Sequence, residues 1–340
     1  MLDPATEVIA EAMHSYALTL EYDGSRFSGW QRQPDRRTVE GVLRDAILAV
    51  TGEEVRLTAA GRTDAGAHAH GQVVGCALRR PWEPRRLRAA LNGQLPEDAV
   101  VLEVRSAPDG FHARYDARTR TYRYVVAPRG DRAAVARDHV WRVPRSLDLE
   151  AMRGAAAHLV GTHDFAAFGR SPRAGGTTVR TIHSLTVRAH AVPDAHGGSE
   201  TPIPIPGGSA GEPPRMTIPR GSAGAPARGS ETPIPIPGGS AGAPARGSET
   251  PIPIPGGSAG GPPRMLVTID VTADAFLYGM MRAIAATLVA VGDGRLDAPS
   301  VASLLDAPGR ARRLPPAPAH GLHQWAVTYD LPQGDGDEDR

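Results

Sequence analysis

Lysine is absent from this 340-residue chain, so all 38 of its basic residues are arginine. The single cysteine, Cys76, excludes an internal disulfide framework and a zinc site built from cysteines. No apolar run approaches the roughly 20 residues that are needed to cross a bilayer. The first twenty residues carry acidic side chains where a signal peptide carries basic ones. We therefore expect a cytoplasmic protein that does not enter a membrane.

The charge is unevenly distributed along the chain, although the formal net charge is only +1. Residues 26–145 contain 22 arginines against 14 aspartates and glutamates, which is a local excess of +8. Each arginine offers a planar fork that suits phosphate groups and stacks on bases. This basic half favours a polyanionic partner such as nucleic acid, although a solvated surface can carry the same excess.

Residues 193–263 differ in composition from the rest of the chain. The stretch "GSETPIPIPGGSAG" begins at Gly198, Gly229 and Gly247, and the 71 residues contain 17 prolines and 16 glycines. Such a segment cannot bury enough apolar surface to offset the entropy cost of ordering. The unequal spacing of the copies also argues against a stacked repeat. The composition therefore predicts a disordered insertion.

The residues on either side of the insertion alternate between apolar and polar, as β-strands do. "TTVRTIHSLTVRAH" (177–190) precedes it and "RMLVTIDVTADAF" (264–276) follows it, which predicts a β-hairpin with an overgrown loop. A helix is expected from about Phe276 to Val291. Elsewhere, strand and helix patterns mix without regular βαβ alternation. This favours an α+β fold in which two similar halves share a largely antiparallel sheet with helices packed on it.

The most unusual short stretch is "AAGRTDAGAHAHG", residues 59–71. Its plainest interpretation is a turn between two strands, in which the side chains of Thr63 and Asp64 form hydrogen bonds to the local backbone. A second interpretation is a metal site formed by Asp64, His68 and His70, but no further cluster of ligands completes it in the sequence. A third is nucleophilic catalysis by Asp64, because a carboxylate in a sharp turn beside Arg62 is exposed and charged.

The third interpretation is favoured by a family resemblance. "AAGRTDAGAHA" closely resembles the signature of the TruA family of tRNA pseudouridine synthases, A-G-R-T-D-A-G-V-H-A. Ala67 replaces the usual valine, and Gly279 and Ala283 stand where the family commonly has histidine and asparagine. Six further blocks resemble the family in similar order: "LEYDGSRFSGWQRQP" (20–34), "FHARYDARTRTYRY" (111–124), "GTHDFAAFGR" (161–170), "GGTTVRTI" (175–182), "DAFLYGMMRAI" (274–284) and "HGLHQWAVTY" (320–329).

The resemblance implies the pseudouridine synthase fold and a division of the chain into five parts. These are an N-terminal extension (1–14), an N-terminal half with the catalytic loop (15–140), a C-terminal half in two pieces (141–192 and 264–330), the insertion (193–263) and an acidic tail (331–340).

The resemblance also implies an activity and its residues. Such enzymes isomerise uridine to pseudouridine at positions 38–40 of the tRNA anticodon stem-loop, without a cofactor or a metal. Asp64 is then the nucleophile, which attacks either C6 of the uracil or C1′ of the ribose. Tyr122 stacks on the uracil, although Tyr124 lies on the same strand face and a shifted alignment would exchange the two. Arg62 braces the nucleotides around the flipped base, Arg282 pairs with Asp64, and Leu322 forms a wall of the uracil pocket.

The expected partners are tRNA and a second copy of the chain in a homodimer. Eight arginines are candidates for binding the tRNA backbone: Arg32, Arg36, Arg37, Arg79, Arg80, Arg85, Arg86 and Arg88. One alternative is an RNA-binding protein on the same fold that has lost catalysis. Another is a metal-dependent hydrolase that uses Asp64, His68 and His70, whose activity a chelator would abolish.

Overall fold

The computed structural model describes residues 13–128, 136–171, 175–192, 264–306 and 314–330. The predicted disordered insertion (193–263) and the acidic tail lie outside these described residues. Of the predicted N-terminal extension, only Met13 and His14 are described, and His14 is already the first residue of a strand.

The described residues form one large mixed sheet. Its strands lie in the order β4-β1-β3-β10-β5-β9-β8-β7, with β2 added beside β3 and β6 beside β5. Neighbours along this path are antiparallel except β10 and β3, which run parallel. The strand bounds are β1 His14–Tyr22, β2 Thr58–Ala59, β3 His68–Leu78, β4 Ala99–Ser106, β5 Ala117–Ala127, β6 Trp141–Arg142, β7 Gly161–Asp164, β8 Val179–Val192, β9 Arg264–Ala273 and β10 Leu322–Tyr329.

The described α-helices pack against the sheet, which confirms the predicted α+β class. Three of them begin at residues whose side chains accept hydrogen bonds from the first turn: Thr38, Glu83 and Asp148. The helix bounds are α1 Val39–Thr51, α2 Pro84–Asn92, α3 Leu149–Ala157, α4 Met280–Gly292 and α5 Ala298–Asp306.

Helix α4 begins later than the sequence pattern predicts. The pattern suggests a helix from about Phe276, but the structure starts it at Met280, after Gly279. Gly279 has φ of 77°, in the left-handed region, where residues with a side chain are strained. The chain therefore turns sharply at Gly279, and residues before it remain outside the helix.

The two largest buried clusters of the described residues lie along the sheet. The first includes Leu18, Leu43 and Leu87, from β1, α1 and α2. The second joins α3, α4 and α5 to β5, β8 and β9. Strand β5 comes from the half that the sequence assigns to residues 15–140, yet it pairs with β10 and β9 from the C-terminal half. The two halves of the chain thus share one continuous sheet.

Strands β8 and β9 form the hairpin that the alternating pattern predicts. They pair antiparallel from Ile182 opposite Ala273 to Val192 opposite Arg264. The last described residue before the insertion therefore faces the first described residue after it. Within the described ranges, none of the helices has both the length and the apolar character that a membrane span requires.

This pairing predicts that the fold does not depend on residues 193–263. Replacing them with a two-residue Asn-Gly turn should leave the melting temperature within a few degrees of the full chain, because that turn suits adjacent antiparallel strands. A matched control is Val267→Pro, which removes a ladder donor from the buried middle of β9 and should lower the melting temperature strongly. Loss of cooperative unfolding in the loop-replaced protein would contradict the expectation.

Candidate active site

Buried side chains of the sheet form hydrogen bonds to the loop that carries Asp64. The chain leaves β2 at Ala59 and enters β3 at His68, so residues 60–67 form the loop. Arg120 Nε donates to the Ala60 carbonyl at 3.0 Å, and Gln72 Nε2 donates to the Gly61 carbonyl at 2.6 Å. Tyr22 and Thr63 share a hydrogen bond of 2.8 Å between their hydroxyl groups. These buried partners fix the loop before any substrate arrives.

A second segment, residues 27–30, supports the same loop through its backbone. The Trp30 amide donates to the Thr63 carbonyl at 3.1 Å, and the Gly66 amide donates to the Phe27 carbonyl at 3.4 Å. Within the loop, the Ala67 amide donates to the Asp64 carbonyl at 3.1 Å, which closes a tight turn. The "RFSGW" and "GRTDAGA" stretches are therefore one structural unit.

Gly61 lets Tyr122 approach the loop closely. A Cβ atom placed on Gly61 would lie 2.6 Å from the Tyr122 hydroxyl oxygen, which is too close for a non-bonded contact. Tyr122 belongs to β5, and its ring meets Phe276 edge-on with 4.7 Å between ring centres. The glycine thus places the phenol directly beside the loop.

Asp64 is paired with an arginine from the far end of the chain. Arg282 Nη1 lies 2.7 Å from Asp64 Oδ2, and Arg282 Nε donates to the Ala317 carbonyl at 2.7 Å. Both side chains are partly exposed, at 24% for Arg282 and 21% for Asp64. The second hydrogen bond orients the guanidinium, so the carboxylate is held in one position while it stays accessible.

Asp64 and Arg282 open onto a cleft of about 970 Å³. Residues 279–282 line it, so the N-terminus of α4 faces the cleft and adds its partial positive charge. Seven arginines line the cleft, against three carboxylates. The arginines are Arg56, Arg62, Arg114, Arg118, Arg120, Arg170 and Arg282, and the acids are Glu40, Asp64 and Asp274. Such a surface attracts a polyanion.

All five residues that the sequence singles out line this cleft: Asp64, Arg62, Tyr122, Arg282 and Leu322. Arg62 is exposed, whereas Tyr122 and Leu322 are 7% and 6% exposed.

Tyr122 and Tyr124 occupy different surroundings. Tyr122 lines the cleft, whereas Tyr124 is fully buried, donates its hydroxyl hydrogen to the Pro318 carbonyl and meets Trp141 edge-on. The structure therefore brings Tyr122, not Tyr124, next to Asp64. Burial raises the pKa of Tyr122 to about 12, so its phenol carries a proton at neutral pH.

The arginines predicted to bind a polyanion are exposed, but they lie outside the cleft lining. Arg37 is already engaged, since it pairs with Asp98 at 2.6 Å and lies over the Phe27 ring. Five arginines of the cleft were not predicted from the sequence: Arg56, Arg114, Arg118, Arg120 and Arg170. Four of them lie in the blocks "FHARYDARTR" and "GTHDFAAFGR", whose resemblance to the family could have identified them.

The structure does not bring Asp64, His68 and His70 together as the metal site that is one interpretation of the sequence. Within the described part of the chain, the group of close ligand atoms consists of Asp23, His68 and His139. His68 and His70 lie at the start of β3, where each contacts another carboxylate: His68 lies beside Asp23 and His70 beside Glu21.

The chain is similar to a well-defined set of proteins. A family model described as tRNA pseudouridine synthase matches residues 19–116 and 155–330. The tRNA pseudouridine synthase A of Roseiflexus sp. is 36% identical over 317 residues, which cover 93% of this chain and 91% of that protein. That of Xanthobacter autotrophicus is 31% identical over 93% of this chain and 100% of its own length. That of Methylobacterium radiotolerans is 46% identical over 176 residues, 52% of this chain and 70% of its own.

The chain belongs to the tRNA pseudouridine synthase family, because the family model matches most of its length. Its mixed, mostly antiparallel sheet is consistent with this family. Pseudouridine synthases are isomerases, and so is this protein. Within the family, its similarity to Roseiflexus and Xanthobacter proteins over nearly the whole chain supports activity of the tRNA pseudouridine synthase A type.

The contact between Arg282 and Asp64 leads to a prediction about turnover. Arg282→Met should lower kcat about 100-fold, because the carboxylate loses the group that positions it. Arg282→Lys keeps the charge but loses the two-point orientation, so its kcat should fall between those of the wild type and Arg282→Met. Steady-state assays with saturating tRNA would measure kcat for both variants.

The matched control for this prediction is Arg295→Met. Arg295 lies just after α4 and contacts Asp293 at 2.8 Å, so the substitution also removes an arginine–aspartate pair, but outside the cleft lining. Turnover by the Arg295 variant should match the wild type. Equal kcat in the Arg282→Met and Arg295→Met variants would show that Arg282 does not position Asp64.

Proposed function

We propose that the protein isomerises uridine to pseudouridine at positions 38, 39 or 40 of the tRNA anticodon stem-loop, with Asp64 as the nucleophile. The observation that carries the proposal is the position of the Asp64 carboxylate. It is held 2.7 Å from Arg282, in a cleft that Tyr122 and six further arginines also line. The choice of positions 38–40 rests on the resemblance to the TruA family.

The cleft suits a single nucleotide that has left its stack. A uridine inside the anticodon stem is inaccessible to a side chain until it flips outward, at a cost of a few kcal/mol. The arginines offer contacts to the flanking phosphates, which offset part of that cost. Leu322 forms an apolar wall for the base, and the exposed Arg62 braces the neighbouring nucleotides.

The reaction then proceeds through a covalent bond to Asp64. The carboxylate attacks either C6 of the uracil or C1′ of the ribose, and the bond between N1 and C1′ breaks. The uracil turns, C5 bonds to C1′, the bond to Asp64 breaks, the proton on C5 leaves, and N1 gains a proton. No atoms are gained or lost overall, so the isomerisation requires no oxidant, reductant or other co-reactant.

Tyr122 stacks on the uracil as a neutral phenol in this proposal. Stacking of a base on an aromatic ring contributes roughly 1–3 kcal/mol. Because burial raises the pKa of Tyr122 to about 12, the hydroxyl group is a hydrogen-bond donor in the free enzyme rather than a ready base. Phe276 holds the ring from its other side and limits the positions that it can take.

We further infer that the enzyme works as a homodimer in the cytoplasm, where unmodified tRNA is available. Both inferences rest on the family resemblance and on the nature of the substrate. A tRNA is much larger than one cleft, so a second subunit would extend the basic surface that holds it. Light scattering decides the first inference, since one chain has a mass of 35.8 kDa.

The function is tested with unmodified tRNA that carries tritium at C5 of its uridines. The wild type, without added cofactor, should release one tritium per modified uridine, and tRNA with cytidine at positions 38–40 should release none. Asp64→Ala should lower the rate by more than about 10⁴-fold, because removal of a nucleophile leaves only binding effects. Its affinity for tRNA should stay within a few-fold of the wild type.

Asp45→Ala is the matched control, because Asp45 is an exposed aspartate on α1 outside the cleft lining. It should release tritium at the wild-type rate. Tritium release by Asp64→Ala at the rate of the control would eliminate Asp64 as the nucleophile. Tight tRNA binding by the wild type without any tritium release would instead identify an RNA-binding protein that has lost catalysis.

A further inference from the structure

Three potential metal ligands meet behind the catalytic loop. Asp23 follows β1, His68 is the first residue of β3, and His139 lies in the turn before β6. One ligand atom from each residue lies within 4.8 Å of the other two. The residues come from three distant parts of the chain, so local turn structure does not account for their meeting.

The imidazole of His68 places an acceptor nitrogen close to a carboxylate. Its Nε2 lies 2.8 Å from the Asp138 carbonyl, which can only accept, so Nε2 carries the proton. Nδ1 is therefore an acceptor, and it lies 3.1 Å from Asp23 Oδ1 as well as from the donating Gly24 amide. Two acceptors that face each other favour a cation.

His139 completes the group from the other side of the carboxylate. Its Nε2 lies 3.5 Å from Asp23 Oδ2, and its ring stacks on that of His68 with 4.2 Å between centres. Nδ1 of His139 is buried and has no hydrogen-bond partner among the described residues. Nδ1 can therefore hold the imidazole proton without losing a partner among the described residues, which leaves the Nε2 lone pair available as a ligand.

The spacing of these atoms fits a small divalent ion. Bonds of about 2.0–2.2 Å at tetrahedral angles place neighbouring ligand atoms about 3.4 Å apart. The two nitrogen–oxygen separations, 3.1 Å to Asp23 Oδ1 and 3.5 Å to Asp23 Oδ2, lie on either side of that value and involve the two oxygens of one carboxylate. The hydrogen bond from His68 Nε2 to a backbone carbonyl is the outer contact that metal-bound histidines usually make.

A cavity of about 140 Å³ adjoins the three residues. Four carboxylates line it, from Glu21, Asp23, Glu97 and Asp98, and none of the described lining residues is an arginine. Asp98 is neutralised by Arg37, which leaves three acidic side chains beside the histidines. The cavity therefore has room for a water molecule as fourth ligand and a charge that attracts a cation.

We propose that Asp23, His68 and His139 bind a divalent transition-metal ion, for which Zn²⁺ is the best fit. Two imidazoles and one carboxylate are ligands that Zn²⁺ prefers. The ion replaces the Gly24 amide as the partner of His68 Nδ1 and joins the end of β1, the start of β3 and the turn before β6. Its role is structural: it holds the rear of the loop that carries Asp64, and it takes no part in the reaction there.

The test uses the full chain without a histidine tag, freed of metal by a chelator and then dialysed. Titration with Zn²⁺ should reach one ion per chain and raise the melting temperature. Co²⁺ should bind with the visible absorption of a tetrahedral site. Asp23→Asn, which keeps the shape of the side chain and an oxygen for the Ser25 amide, should weaken Zn²⁺ binding at least about 100-fold.

His139→Asn should weaken binding to the same extent, which guards against a folding defect in either variant alone. His183→Asn is the matched control, since His183 is exposed on β8 outside this group. It should bind Zn²⁺ like the wild type. Failure of the wild type to bind one Zn²⁺, or equal binding by all the variants, would overturn the proposal. The titration contains no tRNA, so its outcome is independent of whether Asp64 is the nucleophile.

Discussion

The ion pair between Asp64 and Arg282 connects parts of the chain that are 218 residues apart. It exists because β3 and β10 run side by side in the middle of the sheet and bring the two halves of the chain together. The loop after β2 supplies the carboxylate, and the first turn of α4 supplies the guanidinium. Everything proposed about the chemistry depends on this contact, since it holds a charged oxygen at the edge of a cleft without burying it.

The surroundings of the pair are rigid on the protein side and open on the solvent side. Buried Tyr22, Gln72 and Arg120 hold the loop through its hydroxyl and carbonyl groups, so little reorganisation is needed when a base enters. The proposed metal site would add a further restraint at His68, four residues after Asp64. In the proposed function, substrate contacts fall instead to exposed or partly exposed arginines, which can adapt to an irregular RNA backbone.

Local features of the fold could be predicted from the sequence, and long-range contacts could not. Alternating residues on both sides of the insertion predicted the hairpin. In its observed register, Val192 lies opposite Arg264. The partnership of Arg282 with Asp64 was available only through the family resemblance, because no local pattern links residues so far apart. The clustering of arginines predicted a basic surface, but the eight arginines chosen as tRNA contacts lie outside the cleft. The sequence does not show which strands come together to form the cleft, so it could not show which arginines line it. The sequence offered His68 as a metal ligand together with Asp64, but the fold places it beside Asp23 and His139 instead.

The central claim is that an everted uridine meets the side chain at position 64, and a crystal structure tests it most directly. The Asp64→Asn protein should be crystallised with an anticodon stem-loop RNA that contains uridine at position 39. The account predicts that the uracil lies in the cleft against Tyr122, with C6 or C1′ within about 3.5 Å of the side chain at position 64. A uridine that stays stacked in the RNA, or that binds away from this side chain, would contradict the account.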